Sequence, residues 1–126
     1  MNGAMPGSLE LAYVGDSVYD LYVRTRLVRV GGRMKPIHRS AVSRVCCAAQ
    51  SQALSRVEPL LDDEEMGVVR RARNHKQTPP RGADPADYHR ATALEALIGY
   101  LYLTGRTQRM EQILASALDD GEEGGN

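Results

Sequence analysis

"LAYVGDSVYDLYVRTRLV", residues 11–28, has the apolar spacing of an amphipathic helix but carries a glycine and an aspartate near its middle. Glycine inside a helix costs about 1 kcal/mol relative to alanine, and a carboxylate among apolar neighbours is expensive to desolvate. Gly15 removes a side chain at a point where another backbone or a ligand can approach. The stretch therefore predicts a helix whose middle is a site of close contact, with Asp16 beside it.

This first helix is predicted over about residues 9–30. Ser8 fits its N-cap, and Gly31 with Gly32 fits its end. Apolar residues recur at helical spacing and give the helix one apolar stripe, formed by Leu11, Val14, Val18, Leu21 and Tyr22.

The rest of the chain also shows helical patterns and no alternation of period two, so we expect no strand. A second helical stretch has Pro36 in its first turn and runs to about residue 61, with a possible break near Gln50 and Ser51. Asp62 and Asp63 cap a third helix that continues through Arg73. The segment "NHKQTPPRGADP", residues 74–85, has three prolines and a glycine and is predicted to be a loop.

A long fourth helix is predicted over about residues 86–104, and a last one over about 106–119, with Gly105 between them. The buried side of the fourth helix is expected to hold Ala93, Leu94, Leu97, Ile98 and Leu101. The expected organisation is one all-α domain over residues 9–119. Residues 1–8 are expected to be a disordered N-terminus and residues 120–126 a disordered acidic, glycine-rich tail.

The composition is that of an ordinary soluble domain. The 126 residues are 42% hydrophobic and 25% charged, and a chain of this size needs no disulfide or metal to form a core. Its two cysteines, Cys46 and Cys47, are adjacent and are predicted to be reduced thiols, which suits the cytoplasm. "MNGAMPGS" is no signal peptide and no apolar run reaches the ~18 residues of a membrane span, so no membrane partner is expected.

Charge is segregated along the chain, although 16 basic and 16 acidic residues give a net charge of zero. Basic residues concentrate in 24–44 and 70–81, and acidic residues in 62–65 and the tail. A net charge of zero argues against indiscriminate coating of nucleic acid but leaves local basic patches able to bind it.

Two carboxylates stand out as candidates for chemistry. Asp16 lies beside Gly15, and Glu95 lies among core-forming residues with Gly99 four positions later. Two helices that each carry a carboxylate and a nearby glycine can cross closely and direct both acids at one cation, and Mg²⁺ prefers such oxygen ligands. The alternative for Glu95 is an ordinary buried salt bridge, and for Asp20 a solvated ion pair with Arg24.

The stretch "RRARNHK" places basic and polar residues at a helix end that leads into the loop, where they suit a phosphate backbone. The alternative is a flexible, solvated surface. His38, His75 and His89 are too scattered for a metal site or a triad, and His75 is the one expected to contact a substrate. The candidate RNA-binding residues are Arg70, Arg71, Arg73, Asn74, His75 and Lys76.

Taken together, "LAYVGDSVYDLYVR", "RRARNHK" and "YHRATALEALIGYLYL" resemble the Mini-III ribonucleases, the short bacterial branch of the ribonuclease III family. The resemblance covers about residues 9–118 in the expected order. It implies the all-α ribonuclease III endonuclease fold, a homodimer, and Mg²⁺-dependent cleavage of double-stranded RNA to 5′-phosphate products, with Mn²⁺ as a possible substitute. It also implies maturation of precursor 23S ribosomal RNA as the role, with possible help from a ribosomal protein.

The resemblance assigns the catalytic, metal-binding roles to Asp16 and Glu95. Full-length ribonuclease III has a glutamate four residues before the aspartate and an aspartate three residues before the glutamate, where this chain has Ala12 and Thr92. The loss implies fewer direct bonds between protein and metal. Asp20 and Thr92 are therefore candidates for residues that surround the metal without binding it directly.

A further departure concerns RNA binding, because full-length relatives carry a separate domain for double-stranded RNA and this chain ends in "DDGEEGGN". We expect the dimer itself to bind the duplex, by shape and through phosphates. Two other hypotheses remain open from the sequence. The chain could be a non-catalytic RNA- or ribosome-binding module of the same fold, or a helical dimerisation protein whose acids are structural.

Overall fold

The computed structural model describes residues 4–119, which form six α-helices and one short 3₁₀ turn without any strand. The expectations for residues 1–3 and for the tail, residues 120–126, lie outside the described part of the chain. In chain order the helices are α1 (Ser8–Val30), α2 (Met34–Val45), α3 (Cys47–Val57), α4 (Asp63–Asn74), α5 (Pro85–Leu103) and α6 (Thr107–Ala117), and the 3₁₀ turn (Glu58–Leu60) follows α3.

Several of the predicted helix ends agree with the structure. Asp62 caps α4 through a reciprocal pair of hydrogen bonds with Glu65, of 2.8 and 3.0 Å. Asp84 caps α5, and Pro85 is its first residue. Gly31 ends α1 with a φ angle of 96°, and Gly105 follows the end of α5 with a φ angle of 74°. Only glycine adopts such positive φ angles at low cost.

Two predicted boundaries were wrong. Ser8 is the first residue of α1, and its cap is Gly7, without a side-chain hydrogen bond. The second helical stretch breaks at Cys46, where the backbone is extended, and not at Gln50 and Ser51. Those two residues are buried in α3 because both face α5, where Arg90 donates to the Ser51 hydroxyl at 3.0 Å.

Helix α5 is the centre of the fold, surrounded by α1, α3, α4 and α6. Its residues from Ala91 to Leu101 are almost all inaccessible to solvent, and the five predicted core residues 93, 94, 97, 98 and 101 are fully buried. Burial of each large aliphatic side chain contributes about 1.5–3 kcal/mol. None of the helices within residues 4–119 has the length and apolar character of a membrane span.

Helix α1 does not have the single apolar stripe that its sequence predicts. Its buried face consists of Leu11, Ala12, Gly15, Tyr19 and Val23. The predicted residues Val14, Val18 and Tyr22 are only partly buried, and Leu21 is 67% exposed. The helix therefore has two apolar faces, one against the core and one open to solvent.

The buried face of α1 crosses α5 with backbone against backbone. A Cβ atom added to Gly15 would lie 2.6 Å from the Glu95 carbonyl carbon and 2.8 Å from the Gly99 nitrogen. A Cβ atom added to Gly99 would lie 2.9 Å from the Leu11 carbonyl carbon. All three distances are shorter than real Cβ contacts, so each glycine is required for the crossing.

We predict that Gly15→Ala destabilises the protein by at least about 3 kcal/mol, because neither backbone can move without separating the helices. Urea unfolding followed by circular dichroism measures the loss. The matched control is Gly67→Ala in the interior of α4, where an added Cβ meets only the end of the Arg71 side chain, at 3.3 Å. The control should gain up to about 1 kcal/mol from helix propensity. Equal stability of Gly15→Ala and the wild type would contradict the close crossing.

Candidate active site

Asp16 and Glu95 meet at the crossing of α1 and α5. Asp16 follows Gly15 directly, and the backbone of Glu95 is the group that faces Gly15. Their carboxyl groups are within hydrogen-bonding reach of each other, so that protonated Glu95 would donate to the Asp16 carboxylate. The pairing anticipated from the two carboxylate and glycine positions is therefore present in the structure.

The two carboxyl groups have different environments. Asp16 is exposed, whereas Glu95 is mostly buried. Burial first, and then the neighbouring Asp16 carboxylate, raises the pKa of Glu95 to about 8. The sequence suggested that Asp16 would carry the cost of desolvation, but the structure assigns that cost to Glu95, because α5 is the central helix and α1 has a solvent-exposed edge.

Gln50 is a residue of this site that sequence reasoning missed. Its side chain is 2% exposed and lies close enough to the Glu95 carboxylate to counteract part of the rise in its pKa. Its amide nitrogen is buried and makes no hydrogen bond with any of the described residues. The available signal was a polar residue within an otherwise apolar helical stretch, which we interpreted as a helix break.

Cys47, at the start of α3, also lies near the pair. Burial and then the charge of Glu95 raise the pKa of its thiol. Both cysteines are free thiols, as predicted, and Cys46 is exposed. Helix α3 thus contributes one amide and one protonated thiol to the surroundings of the carboxylates.

Asp20 and Thr92, the two candidates for a supporting role, each have another partner. Asp20 accepts a hydrogen bond of 3.0 Å from Arg24, and both side chains are substantially exposed. The Thr92 hydroxyl donates to the Tyr88 carbonyl one turn earlier, at 2.9 Å. The geometry of Asp20 is that of a solvated ion pair with Arg24, the alternative considered from the sequence.

The donor set at the crossing consists of two carboxylates. No group of three or more histidine, cysteine or acidic side chains within residues 4–119 is arranged to hold a metal ion. Two adjacent carboxylates are nevertheless hard oxygen donors with an excess of negative charge, which is the donor chemistry of a Mg²⁺ site that keeps several water ligands.

The six candidate RNA-binding residues form an exposed basic surface at the end of α4 and the start of the following loop. Within it, a ring nitrogen of His75 lies 3.0 Å from the Lys76 carbonyl oxygen. Basic side chains in the last turn of a helix also interact favourably with its dipole. The six residues are Arg70, Arg71, Arg73, Asn74, His75 and Lys76, here called the basic surface.

Comparisons with known proteins identify the family of the chain. The family model described as "Ribonuclease III domain" matches residues 9–106. The chain is 44% identical over 118 residues to the Mini-ribonuclease 3 of Symbiobacterium thermophilum. This alignment covers 92% of this chain and 91% of that protein. It is 41% identical over 117 residues to the Mini-ribonuclease 3 of a Thermoanaerobacter species, covering 91% of this chain and 82% of that protein.

A solved structure is similar as well. The crystal structure of a Fusobacterium nucleatum protein superposes with a TM-score of 0.82 at 29% sequence identity. The match covers 89% of this chain and 93% of that one. The same helical fold is therefore present in an experimentally determined structure.

We predict that Glu95→Gln stabilises the metal-free protein in a pH-dependent way. The unfolded chain ionises Glu95 near its ordinary pKa of 4.5, and the folded protein only near 8. Wild-type stability therefore falls relative to the variant as the pH rises from about 4.5 to 8, and the difference is constant above that range. In EDTA, the variant's Tm should exceed that of wild type by at least about 4 °C at pH 9 and by much less at pH 5.

The control is Glu111→Gln, an exposed position on α6. Its Tm difference from wild type should be small and alike at both pH values. A Glu95→Gln difference that does not grow with pH would contradict the raised pKa.

Proposed function

Since this chain belongs to the ribonuclease III family and is an endoribonuclease, we propose that it cleaves double-stranded RNA at the Asp16–Glu95 pair with Mg²⁺ bound there. The observation that carries the proposal is the convergence of these two carboxyl groups at the crossing of α1 and α5. Two acids brought together by a backbone contact need either a shared proton or a cation at neutral pH.

The two carboxylates would hold the metal from opposite helices. Mg²⁺ needs only one or two protein carboxylates when water and substrate phosphate complete its coordination, and Mn²⁺ has similar preferences. When bound, the ion supplies Lewis-acid polarisation of the phosphodiester and activation of the attacking water. The products are expected to carry 5′-phosphates.

The protein's own groups prepare this site. Glu95 retains a proton in the bare protein because of burial and Asp16, and a cation between the two acids favours its ionised form. Gln50 lies on α3 close enough to Glu95 to lower the pKa of its carboxyl group, which favours the ionised form. The asymmetry between exposed Asp16 and mostly buried Glu95 leaves one side of the pair open to a large substrate.

The basic surface supports RNA as the ligand. All six of its residues are exposed, and four of them are arginine or lysine. Such side chains neutralise phosphates, so the affinity for a duplex should fall steeply with salt. Within residues 4–119, the basic surface is the part of the helical domain that is suited to contact the phosphates of a duplex.

The second apolar face of α1 supports a homodimer. It lines an open groove of about 550 Å³ together with Tyr102, Met110 and Leu114. Leu21 in this groove is 67% exposed and Tyr13 is 82% exposed. A second copy of the same helix face is self-complementary about a two-fold axis, and the resulting dimer presents one acidic pair to each RNA strand.

For the natural substrate we propose the paired ends of precursor 23S ribosomal RNA, with possible help from a ribosomal protein. The support is the resemblance of the whole helical domain to the short ribonuclease III branch. Cleavage of that precursor, bare and bound to ribosomal protein, should exceed cleavage of an unrelated duplex of equal length.

The test of the function is cleavage of a long RNA duplex at low salt with Mg²⁺ or EDTA. We expect Mg²⁺-dependent cutting to 5′-phosphate ends. Asp16→Asn and Glu95→Gln should each lose more than about 100-fold in rate, which exceeds the 10–100-fold typical of groups that only support a metal ligand. Glu111→Gln is the control and should cut at the wild-type rate.

Binding measured with Asp16→Asn separates catalysis from RNA affinity. The variant should still bind the duplex, and its affinity should fall by at least about tenfold between 50 and 200 mM salt. Cleavage that persists in both carboxylate variants would overturn the assigned site. Duplex binding without any cleavage by the wild type, on the precursor as well, would overturn the proposed reaction.

We predict that Leu21→Asp dissociates the dimer, because it places a charge in the apolar groove. Wild type should have twice the chain mass of 13.8 kDa in size-exclusion chromatography with light scattering. The variant should weaken dimerisation by at least about tenfold, as for truncation of a central interface residue. Val42→Asp, at a 52% exposed position of α2 outside the groove, should remain dimeric. A dimeric Leu21→Asp would exclude this face as the interface.

A further inference from the structure

One face of α3 lies against the carboxylate pair. Cys47 and Gln50 are three positions apart on this helix, which places them one turn apart on the same side. The charge of Glu95 acts on the Cys47 thiol, and Gln50 is close enough to act on the Glu95 carboxyl group. The register of α3 against α5 is fixed beside them, because Arg90 donates to the Ser51 hydroxyl and carbonyl at 3.0 and 3.1 Å.

The amide nitrogen of Gln50 is the unusual group of this face. The side chain is 2% exposed, and its nitrogen is buried and makes no hydrogen bond with any of the described residues. Leaving a buried donor unsatisfied costs about 1–3 kcal/mol, and buried polar atoms normally have partners. An apolar side chain of similar size would avoid that cost, so packing alone does not account for a glutamine at this position.

The Glu95 carboxylate, when it binds a metal ion, offers the acceptor that this nitrogen lacks. A carboxyl group must be ionised to bind a metal ion. A carboxylate that binds Mg²⁺ through one oxygen keeps lone pairs on its other oxygen, and Glu95 is too buried to satisfy all of them with water. An amide N–H that donates to an ionised carboxylate forms a charge-assisted hydrogen bond, which is stronger than one between neutral groups.

Two other donors among the described residues lie near Glu95, and neither matches Gln50. The Cys47 thiol is only a weak donor. The Tyr19 hydroxyl is buried and makes no hydrogen bond with any described residue, but the charge of Glu95 is the weakest of the four influences on it. Gln50 therefore combines a strong donor, an unsatisfied nitrogen and proximity to Glu95.

We propose that Gln50 is a positioning residue of the active site, whose amide donates to the ionised Glu95 carboxylate and holds it in the orientation that binds Mg²⁺. The proposal rests on the proposed function, because it requires that the Asp16–Glu95 pair holds the metal ion. In this role Gln50 acts through Glu95 and does not contact the metal ion itself. Groups that orient metal ligands in this way typically contribute 10–100-fold to metal affinity.

The experiment is titration of the full-length chain with Mn²⁺ in the absence of RNA, with free Mn²⁺ measured by electron paramagnetic resonance. We expect saturable binding by the wild type. Gln50→Met keeps the length of the side chain but removes the donor, and it should weaken Mn²⁺ binding by about 10–100-fold. The matched control is Gln52→Met, the same substitution at an exposed position of α3, which should bind Mn²⁺ like wild type.

Two further readouts separate positioning from a merely structural role. In EDTA, Gln50→Met should be at least as stable as wild type, because it removes an unsatisfied buried donor. In duplex cleavage, the Mg²⁺ concentration for half-maximal rate should rise, whereas the rate at saturating Mg²⁺ should change far less. Reduced stability together with unchanged Mn²⁺ affinity would overturn the proposal and leave Gln50 as a packing residue.

Gln50→Asn keeps the proposal testable if Gln50→Met fails to fold. Its amide lies one methylene further from Glu95, so this variant should also bind Mn²⁺ more weakly than wild type.

Asp16→Asn distinguishes failure of this proposal from failure of the proposed function. If Asp16→Asn loses Mn²⁺ binding while both Gln50 variants keep the wild-type affinity, the metal site stands and the positioning role of Gln50 is overturned. If Asp16→Asn binds Mn²⁺ as tightly as wild type, the carboxylate pair is not the metal site and both proposals fail.

Discussion

The backbone contact between α1 and α5 is the constraint on which the other features of this protein depend. Gly15 and Gly99 let the two helices approach until carbonyl groups of one face the backbone of the other. Asp16 follows Gly15, and Glu95 lies one turn before Gly99, so the same contact that joins the helices also brings their carboxyl groups together. Any side chain at either glycine would separate the helices and the acids at once.

The close crossing opposes stability locally, and the surrounding core compensates for it. Two carboxyl groups that share one site repel each other when both are ionised, and burial adds to that cost at Glu95. Helix α5 is surrounded by four other helices, and its aliphatic side chains are fully buried. Each contributes about 1.5–3 kcal/mol, so a few of them offset an acidic pair that the fold alone does not need.

The sequence predicted what short-range chemistry determines. Asp62, Pro85 and Gly31 mark helix ends through contacts within a few residues, and those ends agree with the structure. The two glycine and carboxylate positions likewise predicted the crossing. The break at Cys46 and the position of Gln50 beside Glu95 were missed, and the second of these depends on how α3 packs against α5. The polar Gln50 in an apolar helical stretch was a local signal, but it does not identify a partner 45 residues further along the chain.

Helix α1 shows why apolar spacing alone could not assign its faces. At about 100° per residue, its core face centres near Gly15 and Tyr19, whereas the groove face centres near Leu21, roughly 140° away. The core face combines the large side chains of Leu11, Tyr19 and Val23 with the small residues Ala12 and Gly15, and the backbone of α5 approaches it at Gly15. Asp16 occupies the edge between the core face and solvent. One helix therefore supplies a packing contact, a carboxylate and an open apolar surface, which explains why its middle tolerates both a glycine and an aspartate.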